Sequence, residues 1–599
     1  MKKKRSIGFV IGFVLFTLIY FLLIEIYKIT IGGWIVAAGI LICYFLLHQF
    51  KLRDKKWYLK FLSWVCLAAL LFANAKLFWP PTIQIPAVTN KDPEVTDVIS
   101  VQQGQLTGVY NEDKSVAVYA GIPYAKPPVG DLRWREPQPA DKWDGVKACD
   151  TFAPMSMQSP NSPIYSVGSQ IIGYHNYKFT FEDNYNEAAS EDSLYLNVWT
   201  PAGVKPGDNL PVIVYYHGGS LTTGQPYYQD YNGETFAENG VIFITVGYRL
   251  GVFGYLATEE LAAESPNHTT GNYGLLDQIE ALKWVNANVA SFGGDVSNIT
   301  IAGESAGSSS VNALCVSPLA KGLFKNVIAE SSGITPKVPY HTFRTYDKAI
   351  STGKEVMEEM GCDNMAQMRE VPAEKLLQTK TNNGSMTVDG YAITEQPYLT
   401  YEKGENNEQA LLNGYNADEA YVFMMFTNNS TADTYVEDLK EMVGDYNEEL
   451  AAMYPASDDD QAKANLYELY GVAWFDYSHH TWSDYMAAEN RDVYLYYFNK
   501  DNGGLGVWHS GEIPYAYGNL DLSSGNYDDV DEYVSDTMVA YWTNFAKTGN
   551  PNASGLPKWK RYNDDPTQIL EFADDIKMID NKYTKTFEVF DKYMDSLVK

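Results

Sequence analysis

The stretch "NITIAGESAGSSSVNALCVSPLA", residues 298–320, decides how this chain folds. Its first five residues, Asn298 to Ala302, are rich in β-branched side chains, which predicts a short buried strand. The small residues after Gly307 can begin a helix at once, because they let the backbone turn tightly. Ser305 therefore lies between a strand and a helix, in the pattern Gly-x-Ser-x-Gly. The pattern alone is a weak signal, and this context makes Ser305 a candidate nucleophile.

Short β-rich runs alternate with helical patterns from about residue 98 onward, with no internal repeat. "LPVIVYY" (210–216) and "VIFITV" (241–246) have hardly a polar break, which is typical of strands buried on both faces. Between Asp277 and Ala290 the apolar positions recur every three or four residues, which predicts an amphipathic helix. This alternation predicts one large α/β domain built on a mixed, mostly parallel sheet.

A serine hydroxyl needs a base within hydrogen-bond reach, normally a histidine held by a carboxylate. If the chain order is serine, acid, histidine, three of the eight histidines remain, namely His479, His480 and His509. His479 and His480 lie in an aromatic stretch of helical character, where packing or surface exposure is expected. His509 lies in a Gly-rich loop directly after the strand candidate "VYLYYF" (493–498). Loops at the carboxyl ends of strands hold the chemistry of open α/β folds, so His509 is the predicted base.

Two acids compete for the third position. "QALLNGYNADEAYVF" predicts a strand that ends near Gly414, followed by a loop that carries Asp418 and Glu419. Either carboxylate could reach a histidine ring, and either could equally be a structural surface group. The spacing alone leaves this choice open.

A backbone donor site for an oxyanion is predicted after strand 210–216. The sequence continues as "HGGS", and its glycines let the main chain approach a substrate closely. The N–H groups of Gly218, Gly219, Ser220 and Ala306 are the candidate donors, and losing one such donor costs about 2.7–4 kcal/mol of barrier. The alternative is a plain Gly-Gly turn.

Taken together, these residues resemble the type-B carboxylesterase and lipase family, the cholinesterase-like branch of the α/β-hydrolases. The resemblance covers nearly all of residues 98–575. The matching stretches are "GIPYAKPPVGDLRW" (121–134), "SEDSLYLNVWTP" (190–201), "HGGS" (217–220), "GNYGLLDQIEALKWV" (271–285), "FGGDVSNITIAGESAG" (292–307), "GYNADEA" (414–420), "GVWHSGEI" (506–513) and "YWTNFAKTGNPN" (541–552).

The resemblance implies an α/β-hydrolase fold and a serine esterase that needs no cofactor or metal. It implies that Ser305 is the nucleophile, that Glu419 rather than Asp418 is the acid, and that His509 is the base. Glu304 matches a position whose carboxylate helps to hold the histidine network. Ser220 stands where the family usually has a third glycine or alanine, and its side chain could narrow the acyl side of the site.

Two departures from the family concern disulfides and ligand class. The family often joins two cysteines at positions that here hold Ser156 and Ser193, and a second family pair is reduced to Cys362, so we expect an enzyme without disulfides. Cholinesterases hold a quaternary ammonium on a tryptophan, but residues 157–192 contain none. Choline esters are therefore not the expected substrates.

The first 80 residues predict a membrane attachment. The runs Ile7 to Ile24 and Ile29 to Leu47 are long enough to cross a hydrocarbon core of about 30 Å. Basic clusters precede the first run and follow the second, at residues 2–5 and 51–60, and both should stay cytoplasmic. The catalytic part should then lie outside the cytoplasm.

The third apolar run, Phe61 to Ala73, has two interpretations. It is short and is followed by Ala73-Asn74-Ala75, so it fits a third membrane span or the end of a signal peptide that is cleaved after Ala75. The predicted organisation is a membrane anchor (1–80), a linker (81–97) and a catalytic domain (98–595).

Charge separates the same parts of the chain. Residues 1–80 carry 11 basic and 2 acidic residues, so the remainder holds a net charge of −39 against −30 for the whole. Such an acidic domain would repel the phosphates of nucleic acid, which argues against that partner. The sequence therefore predicts an exported, membrane-anchored serine hydrolase of small carboxylic esters; the alternative is an adhesion protein that keeps the fold without catalysis.

Overall fold

The computed structural model describes residues 2–27, 29, 31–79, 83–89, 92–159, 186–381, 383–501, 506–523 and 527–598. The loop without tryptophan therefore lies mostly outside the described residues. The chain divides into two units, one formed by Met1–Ile85 with Pro160–Ala188 and the other by Pro86–Ser159 with Ala189–Lys599.

The first unit contains three helices, α1 (Lys2–Ile26), α2 (Ile31–Leu47) and α3 (Trp57–Leu77). A π-helical turn, His48–Leu52, continues α2. By length and composition the segments Gly32–Leu52 and Trp57–Leu77 could each cross a membrane, whereas the apolar part of α1, Gly8–Ile24, is shorter. The helix that contains the third run, α3, extends beyond Phe61–Ala73 at both ends and has 21 residues.

The second unit is built on an eleven-stranded sheet. In chain order its strands are β1 (Val109–Tyr110), β2 (Val116–Pro123), β3 (Tyr195–Pro201), β4 (Leu210–Tyr216), β5 (Ile242–Val246), β6 (Gly294–Glu304), β7 (Asn326–Glu330), β8 (Ala410–Asn416), β9 (Asp492–Phe498), β10 (Gln568–Phe572) and β11 (Lys577–Asp580). Their order in space is β11-β10-β9-β8-β7-β6-β4-β5-β3-β2-β1. The run from β10 to β5 is parallel throughout, and the strands at both ends pair antiparallel.

The helices of this unit, in chain order, are α4 (Glu234–Glu238), α5 (Gly251–Tyr255), α6 (Glu259–Glu264), α7 (Tyr273–Asn288), α8 (Ala306–Val316), α9 (Tyr346–Met360), α10 (Met365–Glu370), α11 (Ala373–Leu376), α12 (Pro397–Glu402), α13 (Tyr421–Met424), α14 (Tyr435–Asp438), α15 (Lys440–Val443), α16 (Asn447–Met453), α17 (Asp459–Gly471), α18 (Tyr477–Ala488), α19 (Ile513–Ala516), α20 (Asp529–Thr548) and α21 (Thr584–Leu597). A π-helical turn, Val472–Asp476, joins α17 to α18.

Short paired strands lie outside the large sheet, at Ile83–Gln84, Ile99–Val101, Gly104–Thr107, Val146–Ala148, Met155–Ser156, Asn186–Glu187, Ala189–Ser190, Phe343–Arg344 and Met386–Thr387. The region expected to be a linker is partly bound to its own unit. Val88 N–H donates to the carbonyl of Asp150 (2.9 Å) and Thr96 N–H to that of Gly108 (3.0 Å). The domain limits given above stay a prediction.

The predicted strands are confirmed with small shifts at their ends. The run 210–216 is β4 with the same bounds, 241–246 is β5 without its first residue, and 493–498 is β9 with one residue more. The short strand expected over Asn298 to Ala302 is longer, since β6 runs from Gly294 to Glu304. The amphipathic helix is α7, which begins four residues before Asp277.

Both faces of the sheet are covered, as expected for parallel strands. In β4, Val212 and Val214 point to the core cluster that contains α7, while Ile213 and Tyr215 point to the cluster that contains α20. This alternation follows from the two-residue period of a strand. The carboxyl ends of β4, β6, β8 and β9 meet at one edge, and the loops that carry the candidate residues begin there.

The two serines at the family's cysteine positions face each other. Ser156 Oγ and Ser193 Oγ lie 2.9 Å apart, and Ser156 Oγ donates to the carbonyl of Tyr248 at 2.6 Å. Ser156 uses its one proton on that carbonyl, so Ser193 is the donor between the hydroxyls. Both side chains are buried.

The double substitution Ser156→Cys/Ser193→Cys should form a disulfide, because the two side chains already meet. Closing this loop should raise the free energy of unfolding by about 2–4 kcal/mol. Denaturant unfolding of the double variant, with and without dithiothreitol, measures the gain. Each single variant serves as a control, and a double variant that is no more stable without the reductant would contradict the expectation.

Candidate active site

Ser305 lies on a sharp turn between β6 and α8 and has φ 54° and ψ −127°. Its neighbours from 301 to 310 are buried, whereas Ser305 itself is partly exposed. Gly307 makes this turn possible, since a Cβ at that position would lie 2.0 Å from the carbonyl oxygen of Tyr216. The Ser305 N–H donates to the carbonyl of Glu330 at 2.8 Å, which ties the turn to β7. The strained turn therefore presents the Ser305 hydroxyl at the edge of the sheet.

His509 lies within hydrogen-bond distance of Ser305. Its Nε2 is 2.8 Å from Ser305 Oγ, and its side chain is only 2% exposed. The loop that carries it follows β9, which is separated from β6 by two strands of the sheet, β7 and β8. Parallel strands bring the two loops to the same edge, although the residues are 204 positions apart.

The structure separates the two candidate acids. Glu419 Oε2 lies 2.5 Å from His509 Nδ1, and its Oε1 accepts the backbone N–H of Asn416 at 2.8 Å. Asp418 Oδ2 instead accepts the backbone N–H of Val507 at 2.8 Å. Glu419 thus contacts the imidazole, while Asp418 joins the acid loop to the histidine loop.

Glu304 is a second carboxylate beside the imidazole. Its Oε1 lies 3.3 Å from His509 Nε2 and accepts the hydroxyl of Ser510 at 2.5 Å. Ser510 fixes the direction of this carboxylate, a contact that was not predicted from the sequence.

Burial and charge act in opposite directions on the pKa of His509. Burial lowers it, but the carboxylates of Glu304 and Glu419 raise it by more, so the pKa of His509 lies above its usual value. A proton accepted by this imidazole is therefore stabilised by two negative charges.

The loop after β4 lies against the turn at Ser305. A Cβ on Gly218 would lie 3.1 Å from Ser305 Cβ, so only glycine leaves room for this approach. Gly219 has φ 106°, and Ser220, which is exposed, has φ 54°. His217 Nδ1 donates to the carbonyl of Gly218 at 2.8 Å, and burial lowers the pKa of His217 to about 4. This neutral imidazole holds the loop in shape. The N–H of Ala306, the first residue of α8, is a free donor by position.

The two histidines set aside in the sequence have structural contacts. His479 Nε2 accepts the backbone N–H of Ser332 at 2.9 Å, and its Nδ1 donates to Asn413 Oδ1 at 3.0 Å. Burial lowers the pKa of His479 to about 3, so this ring is neutral. His480 stacks on Phe587 with ring centroids 4.4 Å apart.

Two aromatic rings beside His509 were not predicted. The ring of Phe475, in the π-helical turn, lies 4.4 Å from the imidazole, and that of Phe423, in α13, lies 5.2 Å away. Phe475 is buried, whereas Phe423 is 45% exposed. Phe423 follows Glu419 by four positions, which is the one signal that could have suggested its position. Among the described residues, no group of three or more His, Cys, Asp or Glu side chains could hold a metal ion.

Comparison with known proteins identifies relatives along most of the chain. The profile of the carboxylesterase family matches residues 95–590. The fumonisin B1 esterase of Sphingopyxis macrogoltabida is 32% identical, covering 80% of this chain and 86% of its own. Human carboxylesterase 3 is 31% identical, covering 81% of this chain and 87% of its own. The crystal structure of carboxylesterase EST55 from Geobacillus stearothermophilus superposes with a TM-score of 0.71 at 29% identity, covering 83% of this chain and 100% of EST55.

Glu304→Gln should lower the pKa of His509, because it removes one of the two carboxylates that raise it. Carbon-13 NMR of histidine-labelled protein, titrated with pH, measures the change, and a His509→Gln sample assigns the signal. The exposed Glu355→Gln is the control and should leave the titration unchanged. A His509 pKa that stays the same or rises in Glu304→Gln would be the contrary result.

Proposed function

The chain belongs to the carboxylesterase family and is an ester hydrolase, and we propose that Ser305, His509 and Glu419 form its catalytic triad. The observation that carries the proposal is the unbroken series of contacts from Ser305 Oγ to His509 Nε2 (2.8 Å) and from His509 Nδ1 to Glu419 Oε2 (2.5 Å). A non-catalytic adhesion protein has no need for this series.

In the proposed mechanism, Ser305 Oγ attacks the ester carbonyl carbon while His509 Nε2 accepts the hydroxyl proton. The new O–C bond gives a tetrahedral oxyanion, and Glu419 and Glu304 stabilise the imidazolium. Collapse breaks the bond to the alcohol oxygen, which takes the proton from His509 and leaves an acyl-enzyme. Water then gives a proton to His509 and attacks the acyl carbon, and the acid is released as Ser305 regains its proton.

We propose that the N–H groups of Gly218, Gly219, Ser220 and Ala306 form the oxyanion hole. Gly218 lies against Ser305, and Ala306 follows it directly, so their donors are near the point where the negative charge develops. Gly219 and Ser220 both have positive φ, so the backbone turns sharply where these two candidate donors lie.

The substrate class is proposed to be small carboxylic esters. Relatives include a fumonisin B1 esterase and the medium-chain fatty acyl-CoA hydrolase of Anas platyrhynchos, which is 31% identical. The aromatic rings of Phe475 and Phe423 beside His509 favour substrates with an apolar group on that side.

Ser305→Ala should lower kcat for p-nitrophenyl butyrate by about 10⁴-fold or more, because no acyl-enzyme can form. The rate is measured as the release of p-nitrophenolate. In a second measurement, the wild-type protein is treated with a fluorophosphonate probe, and mass spectrometry should find the label on Ser305. Ser310→Ala is the matched control, since this serine lies one turn later in α8 and its hydroxyl donates to the carbonyl of Ala306. Equal rates for wild type and Ser305→Ala would favour the adhesion alternative.

We further propose that the three N-terminal helices anchor the chain in a membrane, with the N-terminus in the cytoplasm and the catalytic unit outside. Large apolar side chains point away from the helices, with Leu18 61%, Ile35 68% and Phe72 65% exposed. Such surfaces are stable against lipid rather than water. The proposed orientation follows from the basic clusters at the start of α1 (residues 2–5) and after α2 (residues 51–60).

The same helices argue against cleavage after Ala75. Asn74 lies inside α3 and is buried, and its Nδ2 donates to Tyr20 Oη (3.2 Å) and to the carbonyl of Gly33 (3.0 Å). One side chain thus joins α1, α2 and α3, and polar contacts of this kind strengthen helix association in lipid. The bond after Ala75 stays within a hydrogen-bonded helix that ends at Leu77.

The full-length chain should therefore remain in the membrane fraction. Cells expressing the protein with a tag at each end are fractionated and immunoblotted, and both tags should be found on one membrane-bound species. The C-terminal tag should be digested by protease added outside the cytoplasmic membrane. A soluble product that begins at Lys76 would contradict retention, and Asn74→Ala should loosen the three helices and make them more sensitive to the protease.

A further inference from the structure

Asn416 is the last residue of β8, is 1% exposed and precedes Glu419 by three positions. Its backbone N–H donates to Glu419 Oε1 at 2.8 Å. This bond leaves Oε2 of the same carboxylate for the imidazole of His509. The direction of the acid is thus set by the residue that ends the strand.

The side chain of Asn416 reaches the other loop. Its Nδ2 donates to the carbonyl of Trp508 at 2.9 Å and makes a short contact with Glu512 Oε2. Trp508 is the residue before His509, and Glu512 follows it by three positions, so one amide group contacts the histidine loop on both sides of the imidazole.

The contacts fix which way the amide points. If oxygen and nitrogen were exchanged, an oxygen would face the carbonyl oxygen of Trp508, which no proton could join. Both protons of the NH2 group are therefore used, one on each partner. Asn416 Oδ1 has no hydrogen-bond partner among the described residues. The hydrogen bonds of this buried side chain are therefore all donated by its NH2 group.

We propose that Asn416 is a positioning residue, which holds the acid loop and the histidine loop in register so that Glu419, His509 and Ser305 stay in line. The inference rests on the triad proposed above. Asn416 is buried and acts on the reaction only through Glu419 and His509. Its role differs from that of Asp418, whose ties to Val507 reach the chain two residues before His509.

The site around Asn416 is crowded with acids. The carboxyl groups that interact are Glu304, Glu419, Glu512 and Glu330, and His341 is the second imidazole near His509. A substitution that removes the Asn416 NH2 group leaves the Glu512 carboxylate without this hydrogen-bond donor, although the other acids remain close to it. We therefore expect the loss to be felt at His509 as well as in stability.

The test compares Asn416→Ala with Asn413→Ala in the full-length protein, using p-nitrophenyl butyrate. Asn413 lies on the same strand and is equally buried, but its contacts are His479, Ser483 and Tyr494. Asn416→Ala should lower kcat about 10- to 100-fold with KM within about threefold, because the binding surface is untouched. Asn413→Ala should lose a similar amount of thermal stability but keep kcat within about threefold of wild type.

The pH dependence of kcat distinguishes a positioning role of Asn416 from a general loss of stability. Asn416→Asp has the same size but places a further carboxylate beside Glu419 and Glu512, which should raise the pKa of His509. The base must be neutral to act, so the acid limb of the kcat profile should move to higher pH than in wild type. If Asn416→Ala is unfolded at the assay temperature, the kcat comparison is made with Asn416→Asp instead.

Two results would overturn the inference. One is folded Asn416→Ala or Asn416→Asp with kcat within threefold of wild type, and the other is Asn413→Ala losing as much kcat as Asn416→Ala. Ser305→Ala is run in parallel. If it is inactive while the Asn416 variants are fully active, only this inference fails; if it is as active as wild type, the proposed triad fails with it.

Discussion

A buried imidazole can carry a proton only where negative charge lies beside it, and this condition shapes the centre of the molecule. His509 is 2% exposed and has Glu419 at one ring nitrogen and Glu304 at the other. Without these carboxylates, burial would lower the pKa of the ring and disfavour the protonated state. Two carboxylates buried at this depth need hydrogen-bond donors in addition to the imidazole. Asn416 supplies one through its backbone N–H, and Ser510 supplies another through its hydroxyl.

The parallel sheet meets this requirement by bringing distant parts of the chain to one edge. Ser305, Glu419 and His509 follow β6, β8 and β9, and the glycine loop follows β4. Only β7 lies between β6 and β8, and it contributes the carbonyl of Glu330 that holds the turn at Ser305. Behind this edge the acids accumulate. Burial raises the pKa of Glu330 to about 8, although Tyr517 and Trp542 donate to its carboxyl oxygens.

Local patterns in the sequence predicted the strands well, because strands buried on both faces are continuous apolar runs bounded by glycine and polar residues. Ser305 and His509 were predicted from the loops that follow such runs, together with the Gly-x-Ser-x-Gly pattern and an assumed order of serine, acid and histidine. The choice between Asp418 and Glu419 could not, because adjacent side chains leave the backbone in different directions and spacing does not say which one faces the ring. The family resemblance named Glu419, and in the structure Glu419 contacts His509 whereas Asp418 contacts Val507. Phe475 and Asn416 were not predicted for a related reason. Phe475 contacts His509, and Asn416 contacts the loop of His509, from segments that are distant in the sequence. Likewise, the apolar run Phe61–Ala73 did not predict the full length of α3, because residues 57–60 and 74–77 on either side of it are also helical.

The serine pair at 156 and 193 bears on where the catalytic unit can mature. Ser156 and Ser193 form a hydrogen bond where two cysteines would form a disulfide. The hydrogen bond needs no oxidant, whereas a disulfide does. The cysteines of this chain are free, so its fold depends on no thiol oxidation step. The unit would therefore reach the same covalent state in a glutathione-rich compartment as in an oxidising one, and its folding would need no disulfide-forming catalyst.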